Sequence, residues 1–184
     1  MSSTEVIVSI SLGNETFRVG TVWFNIRKSR ETATFAYDNA WLNNAECFAL
    51  EPALQLTEGS FHTNPNSNIF GGIGDSAPDR WGRVLMRRAA TAKAKRENVT
   101  PKTLFEVDYL LGVNDESRQG ALRFSLADNK DVYLSPKNKS SVPPLMDLPK
   151  LLSAAEHFIE NDENSADLRL LLAPGSSLGG ARPK

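Results

Sequence analysis

Apolar and polar residues alternate from the start of the chain. In "VIVSISLGNETFRVGTVWF", Val6, Val8, Ile10 and Leu12 share one face at period two. Phe17, Val19, Thr21 and Trp23 repeat that pattern in the next segment. Gly13 and Asn14 lie between them and tolerate the positive φ of a tight turn, so the stretch predicts a β-hairpin. "TATFAY", Thr32 to Tyr37, predicts a third strand, joined by a charged linker from Arg27 to Glu31. Asn43 to Asn68 mixes short apolar pieces such as "CFAL" with many turn formers, which predicts turns and short strands.

The period changes at "GGIGDSAPDRWGRVLMRRAATAKAKRE". Ser76 as a cap, Pro78, and Asp79 in the first turn predict a helix start. Trp81, Val84, Leu85 and Ala89 form its apolar stripe. A second helix is expected after Thr100-Pro101, with Leu104, Val107, Leu110 and Leu111 inward and Gly112 as the stop. Ala121 to Leu126 and Asp131 to Leu134 read as a hairpin, followed by the polar, proline-rich loop "SPKNKSSVPP". A third helix is expected from about Asp147, burying Leu148, Leu151, Leu152, Ala155, Phe158 and Ile159. A short helix follows over Ala166 to Leu172. Strands come first and a mixture second, which predicts α+β rather than a parallel α/β sheet.

Composition narrows the class. A chain of 184 residues is long enough to bury a core. A formal net charge of -1 gives no global field toward nucleic acid or membranes. The single cysteine, Cys47, forms no internal disulfide, which fits a reducing compartment. "MSSTEVIVSISLGNE" lacks the basic start of a signal peptide, and no run approaches 18 apolar residues. The expectation is a cytoplasmic protein without a membrane partner.

Candidate chemistry is sparse. His62 and His157 lack a nucleophile motif beside them and read as structural or solvated residues. No HExxH, CxxC, GxSxG or EF-hand pattern occurs, so no metal ligands and no catalytic residues are assigned. Arg80, Arg83, Arg87, Arg88, Lys93, Lys95 and Arg96 form a basic run, readable as a solvated helix face or as a phosphate-contacting one. Asp79 or an acidic partner can offset the like-charged pair Arg83 and Arg87. "DESRQGALRF" reads as a polar turn in which Asp115 or Ser117 bonds local backbone and Gly120 releases the chain into a strand. The stretch "PGSSLGGARPK" has the glycines, hydroxyls and cation of an anion-binding loop, but not the spacing of a Walker A or GxGxxG motif. Spacing alone favours a frayed tail.

Five pieces together resemble the HipA-like family of bacterial Ser/Thr kinases, the toxins of HipBA toxin–antitoxin pairs. They are "FAYDNAWL", "FALEPALQL", "FGGIGDSAPDRWGRVLMRR", "DYLLGVNDESRQGALRFS" and "PGSSLGGARPK", spread from Phe35 to Lys184. The resemblance implies a β-rich N-terminal subdomain over residues 1–98. Residues 99–184 would be the start of a kinase-like lobe, ending in the glycine-rich loop. It implies a phosphate-loop role for Leu178, Gly179, Gly180, Ala181 and Arg182, and regulatory autophosphorylation at Ser177. ATP and Mg are cofactors of the full-length family, and the ATP-pairing lysine lies further along than Lys184.

The family's catalytic aspartate and metal-binding residues belong to a C-terminal helical lobe, so these residues alone are expected to be an inactive N-terminal portion. The partners implied are a kinase C-terminal lobe or a HipB-like DNA-binding antitoxin, with DNA reached only indirectly. The alternative is a non-catalytic regulatory partner in a split system. Its docking surface would be an apolar patch around Leu151, Leu152, Phe158 and Ile159.

Overall fold

The computed structural model describes residues 2–113, 118–127, 147–160 and 164–172. It is an α+β structure built on a five-stranded antiparallel sheet. The chain divides into two compact units. The first holds Met1–Ala77 with Phe105–Ser135, and the second Pro78–Leu104 with Pro136–Lys184. The boundary at residues 98 and 99 expected from the sequence lies within a continuous segment of the second unit.

The first unit opens with β1 (Ser2–Leu12), β2 (Glu15–Arg27) and β3 (Arg30–Tyr37). Gly13 alone takes a positive φ, 61°, in the first turn, the pattern of a type II′ hairpin. The second turn corrects the expected linker. Strand β2 runs through Arg27 and β3 starts at Arg30, so only Lys28 and Ser29 connect them. Both have positive φ, 48° and 62°, as in a type I′ turn. Glu31 is therefore a strand residue in phase with Ala33, Phe35 and Tyr37, all buried.

A bulge also corrects the face expected for β2. Val8 pairs with Gly20 but Ser9 pairs with Arg18, leaving Val19 as the extra residue. The inward phase shifts by one there. Val19, Val22 and Phe24 join the core, while Trp23 is half-buried. On β1 the predicted face holds, with Val6, Val8 and Ile10 buried and Leu12 packed at the margin.

Short elements cover this core: α1 (Asn39–Leu42), β4 (Ser60–His62), α2 (Gly71–Gly74) and α4 (Glu106–Leu111). Helix α3 (Arg80–Glu97) belongs to the second unit. Trp41 of α1, Ile73 of α2, and Val107 and Leu110 of α4 join the core, with Leu54 from the connection before β4 and Phe70 at the α2 N-cap. Gly112 follows α4 as its C-cap, as expected. Strand β5 (Leu122–Leu126) pairs with β1, so the sheet order is β4-β3-β2-β1-β5. Gly120 has a φ of 79° just before β5, the release expected for it. The expected hairpin partner Asp131 to Leu134 lies outside the described residues.

In the second unit α3 is capped by Asp79, whose carboxylate accepts the Gly82 N–H at 2.8 Å. Ser76 is not the cap; it is buried in the first unit. Helices α5 (Leu148–Glu160) and α6 (Ser165–Leu171) pack with α3 around Leu85, Ala154, Ala155, Phe158, Leu168 and Leu171. The Trp81 and Phe158 rings meet edge to face at 4.6 Å. The buried face expected for α5 is corrected. Phe158 is 4% exposed, but Leu148, Leu152 and Ile159 are 71%, 53% and 48% exposed. Among the described residues no helix is long and apolar enough to cross a membrane.

Candidate functional site

Ser177, Leu178, Gly179, Gly180, Ala181 and Arg182 lie outside the described residues, as do Asp115 and Ser117. What the structure describes is the framework formed by the other singled-out segments. Three of them, together with residues 70–77 of "FGGIGDSAPDRWGRVLMRR", lie in the first unit.

Tyr37, in "FAYDNAWL", donates its hydroxyl proton to the Leu54 carbonyl at 2.8 Å and accepts the Leu50 N–H at 3.1 Å. Both partners lie in "FALEPALQL". Burial pushes the Tyr37 phenol above its ordinary pKa, keeping it a neutral donor. Trp41 adds an indole N–H bond to the Phe48 carbonyl at 3.4 Å. The same second segment holds the third. The Glu51 carboxylate accepts the Gly72 N–H at 2.7 Å, and a Cβ on Gly72 would meet the Leu50 carbonyl oxygen at 2.6 Å. Glycine is required there by the close approach of two backbones.

Arg118 links the third segment to the fourth. Its Nη1 donates to the Ser76 carbonyl at 2.9 Å, and its Nη2 to those of Leu110 and Val113 at 3.0 Å each. The guanidinium also lies 4.8 Å from the centroid of the Phe124 ring. Arg118 is buried. A planar five-donor group satisfies several carbonyls that no lysine spans together.

A further polar clamp holds α4. Glu31 is 2% exposed, and its two oxygens accept the N–H groups of Glu106 at 2.6 Å and Val107 at 3.1 Å. Burial raises its pKa above the ordinary 4.5, outweighing the two N–H bonds that pull it down. Sequence reasoning missed both Glu31 and Arg118. The signal available for Glu31 was its period-two phase with Ala33 and Phe35.

Each histidine has a hydrogen-bonding partner. His62 bonds the exposed Thr34 hydroxyl at 3.0 Å. His157 Nδ1 lies 3.1 Å from Asp167, on an open flank of the second unit. Asp167 sits below its ordinary pKa, chiefly through the Asn164 backbone N–H and then through His157. No group of three or more His, Cys, Asp or Glu able to hold a metal ion occurs among the described residues.

The second unit carries an apolar groove of about 510 Å³, lined by Trp81, Leu148, Pro149, Leu151, Leu152, Ala155 and Leu171. Among the described residues its lining offers hydrocarbon and an indole face.

No protein-family model, curated protein or solved structure matches the chain.

Proposed function

We propose that residues 1–184 are the N-terminal portion of a HipA-like serine/threonine kinase acting in the cytoplasm. In this reading the sheet and its cover form the scaffold. Leu178, Gly179, Gly180, Ala181 and Arg182 lie over the ATP phosphates, and Ser177 is the regulatory phosphorylation site. Phosphoryl transfer needs metal-held phosphates and a residue orienting the nucleophile. In this family those groups, and with them Mg and productive ATP, come with the C-terminal helical lobe. A HipB-like DNA-binding antitoxin would be a partner.

One observation supports the reading most. The four resembling segments from Phe35 to Ser125 are linked by buried bonds from Tyr37 and Arg118 and a part-buried bond from Glu51. The test is to incubate the purified chain with Mg-ATP, with and without a HipA-like kinase C-terminal lobe, and to map phosphate by mass spectrometry. Lobe-dependent phosphate on Ser177 is expected. Turnover by the chain alone that Gly179 and Gly180 substitutions abolish would overturn the reading.

The exposed Leu148, Leu152 and Ile159 favour a second reading, a non-catalytic regulatory partner of a split toxin–antitoxin system. It predicts capture of a separately encoded kinase body at micromolar concentration, and failure of that capture removes it.

A further inference from the structure

Helix α3 concentrates charge. Its 18 residues contain Arg80, Arg83, Arg87, Arg88, Lys93, Lys95 and Arg96 against one acid, Glu97. That is seven minus one, or +6, in a chain whose formal net charge is -1. The remaining residues therefore carry -7.

Local structure accounts for part of this. Arg88 lies 3.9 Å from the centroid of the Phe158 ring and donates to the Phe158 carbonyl at 3.1 Å. Arg83 Nε donates to the Pro78 carbonyl at 2.9 Å. Lys93 approaches Glu97 at 3.9 Å. Lys95 and Arg96 sit in the last turn, where the helix dipole favours cations.

Arg80 and Arg87 are not explained that way. Arg80 and Arg83 occupy the first turn, where the dipole disfavours cations, and no acid lies among the helix residues of that turn. Asp79, at the cap, is the nearest negative charge in sequence. Arg83 and Arg87 form a like-charged i,i+4 pair. Among the described residues none of Arg80, Arg87, Lys95 and Arg96 makes an ion pair.

The exposed residues of α3 are Arg80, Arg87, Thr91, Lys93, Lys95, Arg96 and Glu97. Four of them, Arg80, Arg87, Thr91 and Lys95, fall within one sector of about 80° at 3.6 residues per turn. They extend over roughly 22 Å of helix at 1.5 Å per residue. All are hydrogen-bond donors, and no fully exposed apolar residue lies among them. A protein partner needs a desolvated apolar centre to gain affinity. A phosphate backbone needs only spaced cations and a hydroxyl.

We propose that this face of α3 binds the phosphate backbone of nucleic acid directly, through Arg80, Arg87 and Lys95 with Thr91 between them. It makes no base contact, so binding is independent of sequence and governed by counterion release.

The test is fluorescence anisotropy of the full chain with a labelled 20-base-pair duplex of mixed sequence, titrated from 50 to 200 mM salt. Three phosphate contacts give a slope of log K against log salt of about -3. Arg87→Gln with Lys95→Gln should bring that slope to about -1. Arg27→Gln with Lys28→Gln, at a hairpin tip, should leave it unchanged. Circular dichroism melts confirm that each variant is folded. The proposal is overturned by no binding at 50 mM salt, by equal loss in the hairpin variant, or by binding polyglutamate as tightly as the duplex.

Discussion

The Glu31 carboxylate on β3 accepts the backbone N–H of Val107 at 3.1 Å, tying the start of α4 to a strand 76 residues earlier. This bond and its partner at Glu106 place an acid inside the core, where burial raises its pKa. The sign follows from proton binding. The folded state takes up the Glu31 proton at higher pH than the unfolded chain, so this group makes stability fall as pH rises. Relative to Glu31→Gln, the native chain should gain stability as pH drops from 7 through the raised pKa, and stop gaining below about 4.5. Urea midpoints of both proteins at several pH values check this. A constant difference across that range would contradict it.

Arg118 serves three carbonyls from inside the first unit. Arg118→Met keeps the stem and leaves those carbonyls without the donor. The expected loss is about 3 kcal/mol, from buried carbonyls left without their charged donor, read from urea unfolding. Arg118→Lys should recover less than half, since an ammonium lacks the planar fork.

Gly71 and Gly72 are adjacent but differ in what a methyl would meet. At Gly72 it is the Leu50 carbonyl oxygen at 2.6 Å, which is backbone. At Gly71 it is the Glu51 Oε2 at 3.2 Å, a side-chain atom that need give only a few tenths of an ångström while keeping the Gly72 N–H. Gly72→Ala should therefore cost about 2 kcal/mol and Gly71→Ala less than half of that, by thermal or urea denaturation.

The turn at Lys28 and Ser29 is built from residues ill suited to positive φ. Replacing them by Asn and Gly should stabilise the chain by about 1 kcal/mol, because that pair favours the type I′ turn. An unchanged melting temperature would contradict it.

Much of the sheet was legible because period-two alternation survives in β1 and β3, and Gly13 marks one turn. The second turn was hidden because Lys28-Ser29 carries no turn signature; its conformation is imposed by the strands it joins. The phase of β2 was hidden because a bulge shifts which residues face inward without changing composition. The start of α3 was misplaced by three residues because Ser76 and Asp79 are both competent caps, and backbone geometry chose the acid. Glu31 and Arg118 look like solvent-facing charges in a linear reading. Their roles depend on backbone groups that are distant in sequence for Glu31 and partly so for Arg118. The apolar residues of α5 were legible as a set, but not which of them face Trp81 and which face outward.

In the proposed reading these 184 residues form a kinase's scaffold, without its phosphoryl-transfer machinery. The most direct measurement is phosphate release and self-phosphorylation by the purified chain in radiolabelled Mg-ATP. The account predicts no turnover above buffer, with label appearing on Ser177 only when a HipA-like C-terminal lobe is added. Sustained, metal-dependent transfer by the chain alone would contradict it.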